Sequence, residues 1–393
     1  QLPDAVAVLD PKRDDCEYPY DELCGCGVGF KLISALSRKR NQPFSELHPY
    51  LDLVATAIGA DIVPITGENR ILAYYGLKVI NTAPRAGFKA IIQQLKKDTL
   101  TITDVVFIIA PRINAAGRMK HGNHAVTLLV ENDAETAQQY ASEIEQYNAD
   151  RKDADKSITE EALIQIEKNK EAYRKTTVVY QEDWHKGVIG IVASRLIETY
   201  YRPTLVFTKS GDKLAASARS VKGFDVYNAL HECEEFIEQF GGHKYAAGLT
   251  LKEENYEAFK QRFEEVVNAS CEERLLIPEI TIDAKIDLQD ITSKFYRILK
   301  QFAPFGPGNM TPTFMTENLV DTGYGKKVGA DETHLKVTVT QNNKGKKIGG
   351  IGFGIGDAYD LISNKKPFSA AYVLDENAWN GEVHLQLRIK DIK

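Results

Sequence analysis

No apolar run in this sequence approaches the roughly 20 residues that cross a bilayer as a helix, so a helical membrane protein is not expected. The opening Gln1-Leu-Pro-Asp-Ala-Val-Ala-Val-Leu9 lacks a basic stretch and a long apolar core, and no secretory leader is read there. Sequence repeats and low-complexity tracts are missing as well. Metal-style cysteine spacing is absent: Cys16, Cys24, Cys26, Cys233 and Cys271 form an odd set. Cys24-Gly-Cys26 is too tight for a zinc pair and nothing downstream completes it, so reduced structural thiols in a cytoplasmic protein are expected. Positive charge is not in excess either. A formal net charge of −6 argues against a chain that coats nucleic acid by bulk charge. It leaves room for a locally basic cleft, because steering follows the field in the cleft.

What is present fits an α/β multi-domain protein. At 393 residues the chain exceeds a single typical core, and its 43% hydrophobic and 26% charged contents are ordinary for a globular protein. Residues 5–9 read as a buried strand. Residues 24–40 read as a helix with Val28, Leu32, Ile33 and Leu36 on one face, and 48–62 and 69–79 as further helices. A long charged helix is predicted over 133–170, with Ala137, Ala141, Ile144 and Tyr147 as a narrow apolar stripe suited to an extended connector. A second α/β unit follows, with strands at 176–180, 204–207 and 213–218 and a helix at 188–200. A helix over 226–240 is predicted from apolar residues at 226, 229, 230, 233 and 237, with Gly241 and Gly242 as its C-cap. Another helix carries Tyr256, Phe259, Phe263 and Val267. The last part switches to period two (Ile280, Ile282, Ala284, Ile286, Leu288, and again Val383, Leu385, Leu387, Ile389). Five or so short strands there suit a small barrel of the OB type.

Two glycine-rich clusters carry the chemistry. Ala216-Ser-Ala-Arg-Ser220 and Gly241-Gly-His-Lys-Tyr-Ala-Ala-Gly248 set Ser217, Arg219 and His243 among residues small enough for a backbone to approach a ligand. Ala110-Pro-Arg-Ile-Asn-Ala-Ala-Gly-Arg118 adds Arg112, Asn114 and Arg118. Proline and asparagine are expected to break the helix there and free backbone amides for a phosphate, a helix start with surface arginines being the alternative. Asp61, in Ile58-Gly-Ala-Asp-Ile-Val-Pro64, reads as an enclosed carboxylate that pairs, binds metal or caps. Trp184-His-Lys-Gly-Val-Ile-Gly190 places glycines at a helix N-terminus that faces either solvent or an anion. Gly350-Ile-Gly-Phe-Gly-Ile-Gly356 has no following amphipathic helix, so packing glycines in a strand explain it better than a dinucleotide loop. Lysines 326, 327, 344, 346, 347, 365 and 366 concentrate in the barrel region. With Tyr324, Phe353 and Trp379 they suggest a single-strand-binding surface, notably through Lys344, Lys346, Lys347 and Trp379.

The paired glycine clusters resemble the DHHA1-type nucleotide-binding domain of the DHH phosphoesterase superfamily. The segments at 2–11, 25–31, 60–61, 111–118, 216–220, 241–248 and 304–309 together resemble, in order, the RecJ family of single-strand-specific 5′→3′ exonucleases. The likeness covers nearly the whole chain. One departure stands out: no Asp-His-His occurs in the sequence. That signature and the family's earlier metal-binding aspartates are expected before Gln1, leaving Asp61 as the corresponding catalytic and metal carboxylate here. The resemblance implies a DHH catalytic-domain portion at 1–130, a connector helix at 131–173, a DHHA1 domain at 174–275 and an OB domain at 276–393. It implies two Mn²⁺ or Mg²⁺ ions for phosphodiester hydrolysis in DNA repair and recombination, with the fragment itself expected to bind nucleic acid but to be inactive. Arg112, Asn114, Arg118, Ser217, Arg219, Ser220, Gly242 and His243 would hold the terminal phosphate and nucleotide. Single-stranded DNA, single-strand-binding protein and a helicase are the partners implied, with no membrane partner and a monomeric state. The competing readings are a DHH-type oligoribonucleotide phosphodiesterase and a non-catalytic single-strand-binding scaffold.

Overall fold

The computed structural model describes residues 3–95, 97–342, 344–379 and 381–393, with side chains for all of these except Lys344, Asn364, Ala378 and Trp379. Eight helices precede the first strand among the described residues: α1 (Gly25–Lys39), α2 (Leu51–Ala60), α3 (Gly67–Thr82), α4 (Ala86–Gln93), α5 (Ile102–Asp104), α6 (Ala110–Met119), α7 (Asn123–Val130) and α8 (Ala134–Lys168). The chain continues through β1 (Thr177–Tyr180), α9 (Ile189–Thr199), β2 (Thr204–Ser210), β3 (Lys213–Arg219), α10 (Val226–His231), β4 (Gln239–His243), β5 (Ala246–Leu251) and α11 (Tyr256–Ser270). It ends with β6 (Ala284–Lys285), α12 (Ser293–Lys300), β7 (Phe314–Asp321), β8 (Lys326–Val328), β9 (His334–Gln341), β10 (Lys344–Gly352), α13 (Tyr359–Ile362), β11 (Phe368–Trp379) and β12 (Glu382–Ile392). These pack as two compact units, one of residues 1–83, 99–106 and 280–393, the other of 84–98 and 107–279.

In the first unit α2 and α3 cross so closely that a Cβ on Gly76 would lie 2.2 Å from the Leu51 carbonyl oxygen. Around that crossing Phe30, Leu51, Val54, Ile58 and Ala73 form a core. The barrel closes through β7–β9–β10–β12–β11–β7, with β10 and β12 parallel and the other pairs antiparallel, and β6 and β8 extend it to seven strands. This is the strand order of an OB barrel, with α13 between the third and fourth strands. Of the predicted strand over 280–288, Ala284 and Lys285 pair with β7, and the N–H groups of Asp283 and Ile286 donate to the Thr313 and Met315 carbonyls. The rest runs alongside, with a short 3₁₀ turn at Leu288–Asp290 closed by Asp287 and Asp290. Gly350 packs tightly against Val337 and Ile389, a Cβ there lying 3.0 and 3.1 Å from their side chains, as read for a packing glycine in a strand. The loop before β7 grips the helices: the Ile65 N–H donates to the Pro307 carbonyl (2.7 Å), and Arg70 donates to the carbonyls of Gln301 (3.0 Å), Phe302 (3.2 Å) and Ala303 (3.3 Å).

In the second unit the sheet order is β1–β2–β3–β5–β4, with β1 and β2 parallel and the remaining pairs antiparallel. One face carries Leu205, Phe207, Leu214, Ala216 and Ala218 against α10 and α11. The other carries Val179 and Val206 against Val188, Val192 and Leu196 of the α9 region and Ile158 and Ala162 of α8. Asp133 caps α8 by accepting from the Thr136 N–H at 2.8 Å, and α8 runs for 35 residues as a single helix.

Three further expectations are corrected. Residues 5–9 form no strand and Val6 is fully exposed, because 3–170 contain no strand among the described residues with which to share a ladder. The helix over 226–240 stops at His231 and the chain turns into β4, so Gly241 and Gly242 are strand residues and not a C-cap. Pairing with β5 satisfies their backbone better than a helix end would. Pro111 and Asn114 do not break a helix: the helical run continues from 102 to 119, with a π-helical stretch at Val105–Ile109 just before Pro111. None of the five cysteines is in a disulfide, Cys24, Cys233 and Cys271 are buried, and burial pushes the Cys233 thiol up to about 12.

Gly76→Ala is expected to lower stability by about 1–3 kcal/mol, because the added methyl meets a backbone oxygen that cannot rotate away. Gly25→Ala, with open space around its Cβ position, should be neutral or stabilising by up to about 1 kcal/mol. Denaturant melts of the two variants beside the parent chain check both, and equal midpoints would refute the close crossing.

Candidate nucleotide-binding site

Strand register builds the floor of the site. Ser217 pairs with Gly248 and Gly248 with Gly241, while Arg219 pairs with Ala246 and Ala246 with His243. Residues directly opposite on neighbouring strands point to one face, so Ser217, Arg219 and His243 share a face bordered by glycine and alanine. It is the face that carries α9. Arg219 Nη1 donates to Ser217 Oγ (3.0 Å) and to the Ala218 carbonyl (2.8 Å). A Cβ on Gly190 would lie 2.9 Å from Ser217 Oγ and 3.0 Å from Arg219 Nη2, so glycine lets the first turn of α9 rest on these two side chains without displacing them.

That turn has a donor to spare. The N–H groups of Val188 and Ile189 both reach the His185 carbonyl and that of Ile191 reaches Val188, whereas the Gly190 N–H takes no acceptor among the described residues. Arg118, at the end of α6, donates from Nη1 to the Gly187 carbonyl at 3.1 Å. Burial pulls the Arg219 guanidinium below its ordinary value and the nearby Arg118 charge pulls it further; burial alone lowers Arg118. Neither arginine has a carboxylate partner among the described residues. Arginine stays charged under such shifts. Two desolvated cations beside the positive end of a helix and a free amide make a receptor for an anion such as phosphate.

The other expected residues are placed as follows. His243 is exposed at the rim, its Nδ1 accepting from the Tyr245 N–H at 3.4 Å. Gly242 takes φ +153° and lies against Ala246 and Ala247, where a side chain would collide. Ser220 fastens the hairpin, donating from Oγ to the Phe224 carbonyl (3.0 Å) while its N–H reaches the Tyr245 carbonyl (3.0 Å). Arg112 is turned toward α8, with Nε 2.5 Å from Glu145 Oε2, and Asn114 is exposed on α6. The sequence reading missed a buried polar row on α8. There Asn148 Oδ1 accepts from Arg151 Nη2 (2.8 Å), and Asp155 lies 3.8 Å from Arg151 and accepts from Arg195 Nε at 2.8 Å. Its signal was the helical spacing 148, 151, 155, which continues the stripe beyond Tyr147 on polar and charged residues.

Asp61 belongs to the first unit. It caps the C-terminal end of α2 and is exposed, not enclosed, because the next residue, Ile62, takes φ +56° and turns the chain out to solvent. Among the described residues no group of three or more His, Cys, Asp or Glu side chains converges for a metal. The residues present offer one carboxylate, which does not by itself fit a two-ion centre. On the barrel, Lys346 donates from Nζ to the Ile291 carbonyl and Lys347 is exposed. Both line a cleft of about 620 Å³ with Tyr296, Arg297 and His384. Lys344 and Trp379 stand in β10 and β11, and their side chains lie outside the described residues. Tyr324 and Phe353 are exposed, and Arg388 sits over the Phe353 ring at 5.6 Å. No helix among the described residues is long and apolar enough to cross a membrane.

Residues 174–269 match the DHHA1 domain and residues 282–391 the RecJ OB domain. The single-stranded-DNA-specific exonuclease RecJ of Bacillus subtilis is 35% identical over 396 residues, covering 100% of this chain and 49% of that protein. The Salmonella typhimurium RecJ is 34% identical, covering 100% of this chain and 70% of that protein. The crystal structure of Thermus thermophilus RecJ with Mn²⁺ matches at a TM-score of 0.83 and 28% identity, over 96% of this chain and 54% of that one. A second, with Mg²⁺, matches at 0.82. This chain therefore spans about half the length of the Bacillus relative. By its sequence and its arrangement of strands and helices, the chain belongs to the RecJ family.

Proposed function

We propose that this chain is the nucleotide-holding portion of a single-stranded-DNA-specific exonuclease that works from the 5′ end in DNA repair and recombination. The carrying observation is the pair Arg118 and Arg219, free of carboxylates and set beside Ser217 and the unbonded Gly190 amide. Such a cradle holds a terminal phosphate and leaves the chain behind it free to run on. His243 at the rim completes the recognition of that nucleotide, and the barrel lysines guide the strand. Solved relatives hold Mn²⁺ or Mg²⁺, ions that activate water in phosphodiester hydrolysis. Asp61 is the carboxylate this chain offers them.

The domain reading follows: a catalytic-domain portion at 1–130, a connector at 131–173, the nucleotide-binding domain at 174–275 and the strand-binding barrel at 276–393. A cytoplasmic monomer that meets single-strand-binding protein and a helicase on its substrate fits this role.

Arg219→Ala is expected to weaken binding of a 5′-phosphorylated oligonucleotide by about 1.5–3 kcal/mol, the range for hydrogen bonds to charged groups. Affinity for the 5′-hydroxyl form should stay unchanged. Titration at fixed salt checks this, and equal affinity of parent and variant for the phosphorylated strand would overturn the cradle.

Replacing Lys344, Lys346 and Lys347 together by alanine should reduce the slope of log affinity against log salt by up to about 2, at about 0.7 per phosphate contact on a single strand. Fluorescence anisotropy with a 20-mer across a salt series measures the slope. An unchanged slope would make these lysines a solvated face.

A further inference from the structure

We propose that Arg195 forms a second phosphate position, holding the phosphodiester that follows the terminal phosphate, and that Asp155 is the positioning residue that aims it. This rests on the reading of the Arg118–Ser217–Arg219 cradle given above. Asp155 is 2% exposed on α8, and both of its oxygens accept from Arg195 Nε at 2.8 Å. A single edge of the guanidinium is thus tied to a buried carboxylate. The side chain is still 48% exposed, and its Nη1 and Nη2 have no acceptor among the described residues. A planar fork anchored at its base keeps its outer donors in a fixed direction, which suits recognition of phosphate oxygens.

Charge balance points the same way. Arg112, Arg118, Arg151, Arg195 and Arg219 surround this seam, whereas the carboxylates paired with them are Glu145 and Asp155. Arg151 is lowered by burial first, and the charges of Arg118, Arg195 and Arg112 work against the help of Asp155. A terminal phosphate accounts for Arg118 and Arg219 and leaves Arg195 facing outward. Gly190, which touches Ser217 and Arg219, and Arg195 lie on one helix about 7.5 Å apart along its axis, near enough for both positions to serve one short strand.

The test uses the full 393-residue chain. Its probes are thymidine 5′-monophosphate and the 5′-phosphorylated dithymidylate, titrated calorimetrically at one salt concentration. Arg195→Lys keeps a cation against Asp155, so the fold survives, but removes the outward fork. It should weaken dinucleotide binding about tenfold, the loss of one charge-assisted hydrogen bond, and leave the mononucleotide unchanged. Asp155→Asn should lower the same dinucleotide preference while the far-ultraviolet circular dichroism stays that of the parent. Arg219→Ala should weaken both ligands. An unchanged dinucleotide-to-mononucleotide ratio in Arg195→Lys, with both ligands weakened in Arg219→Ala, would overturn the second position and leave the cradle standing. Indifference of both ligands to Arg219→Ala would instead overturn the cradle reading itself.

Discussion

The register of β3, β5 and β4 is the constraint on which the candidate site depends. Side chains alternate along a strand, so a slip of one residue would send Ser217, Arg219 and His243 into the core beneath α10 and α11. The apolar alternation Leu214, Ala216, Ala218 and Ala247, Leu249, Leu251 resists that slip, because each of these residues is buried on the opposite face. Packing of the hydrophobic side thus aligns the polar side. The small residues Ala246, Gly241 and Gly248 then keep the polar face low enough for a helix end and a ligand to share it.

Around that floor the protein separates two kinds of arginine. Arg112, Arg151 and Arg195 are tied to carboxylates on α8, while Arg118 and Arg219 are held by carbonyl and hydroxyl oxygens. A carbonyl oxygen orients a guanidinium without neutralising it. The charge therefore remains available to an incoming anion, at the expense of desolvation visible in the lowered values of both groups. This arrangement is unfavourable for the empty protein and favourable for the loaded one, which is what a binding site requires.

Much of this was legible in the residues, where a pattern had one physical reading. Helices α3, α8, α9 and α11 and strands β1 to β3 follow from periodicity, whereas the apolar face read for α1 leaves Leu32, Ile33 and Leu36 exposed. Ser217 and Arg219 share a face as their small neighbours suggested, while the approach of Gly190 to them was not foretold. Elsewhere two readings competed. Residues 226, 229, 230, 233 and 237 satisfy a helical period, yet glycines 241 and 242 had a better partner in β5, and long-range pairing is invisible to a local pattern. The exposed position of Asp61 depends on the turn at Ile62, which no composition rule foretells for a β-branched residue. Asp155 looked like one more acidic residue on a charged helix, and only the packing of α9 against α8 makes it a buried partner.

The grip of the loop at 301–307 on Ile65 and Arg70 has a consequence for how the protein is made. One compact unit is assembled from residues 1–83, 99–106 and 280–393, so its halves leave the ribosome separated by the whole of the other unit. At ordinary elongation rates roughly 10–35 s pass before the barrel emerges to cover the helices made first. During that interval α1 to α3 wait with their barrel-facing surface uncovered, while the unit between them, continuous from 107 to 279, can complete its own core. The order of synthesis therefore lets the unit at 107–279 fold before the barrel can join α1 to α3.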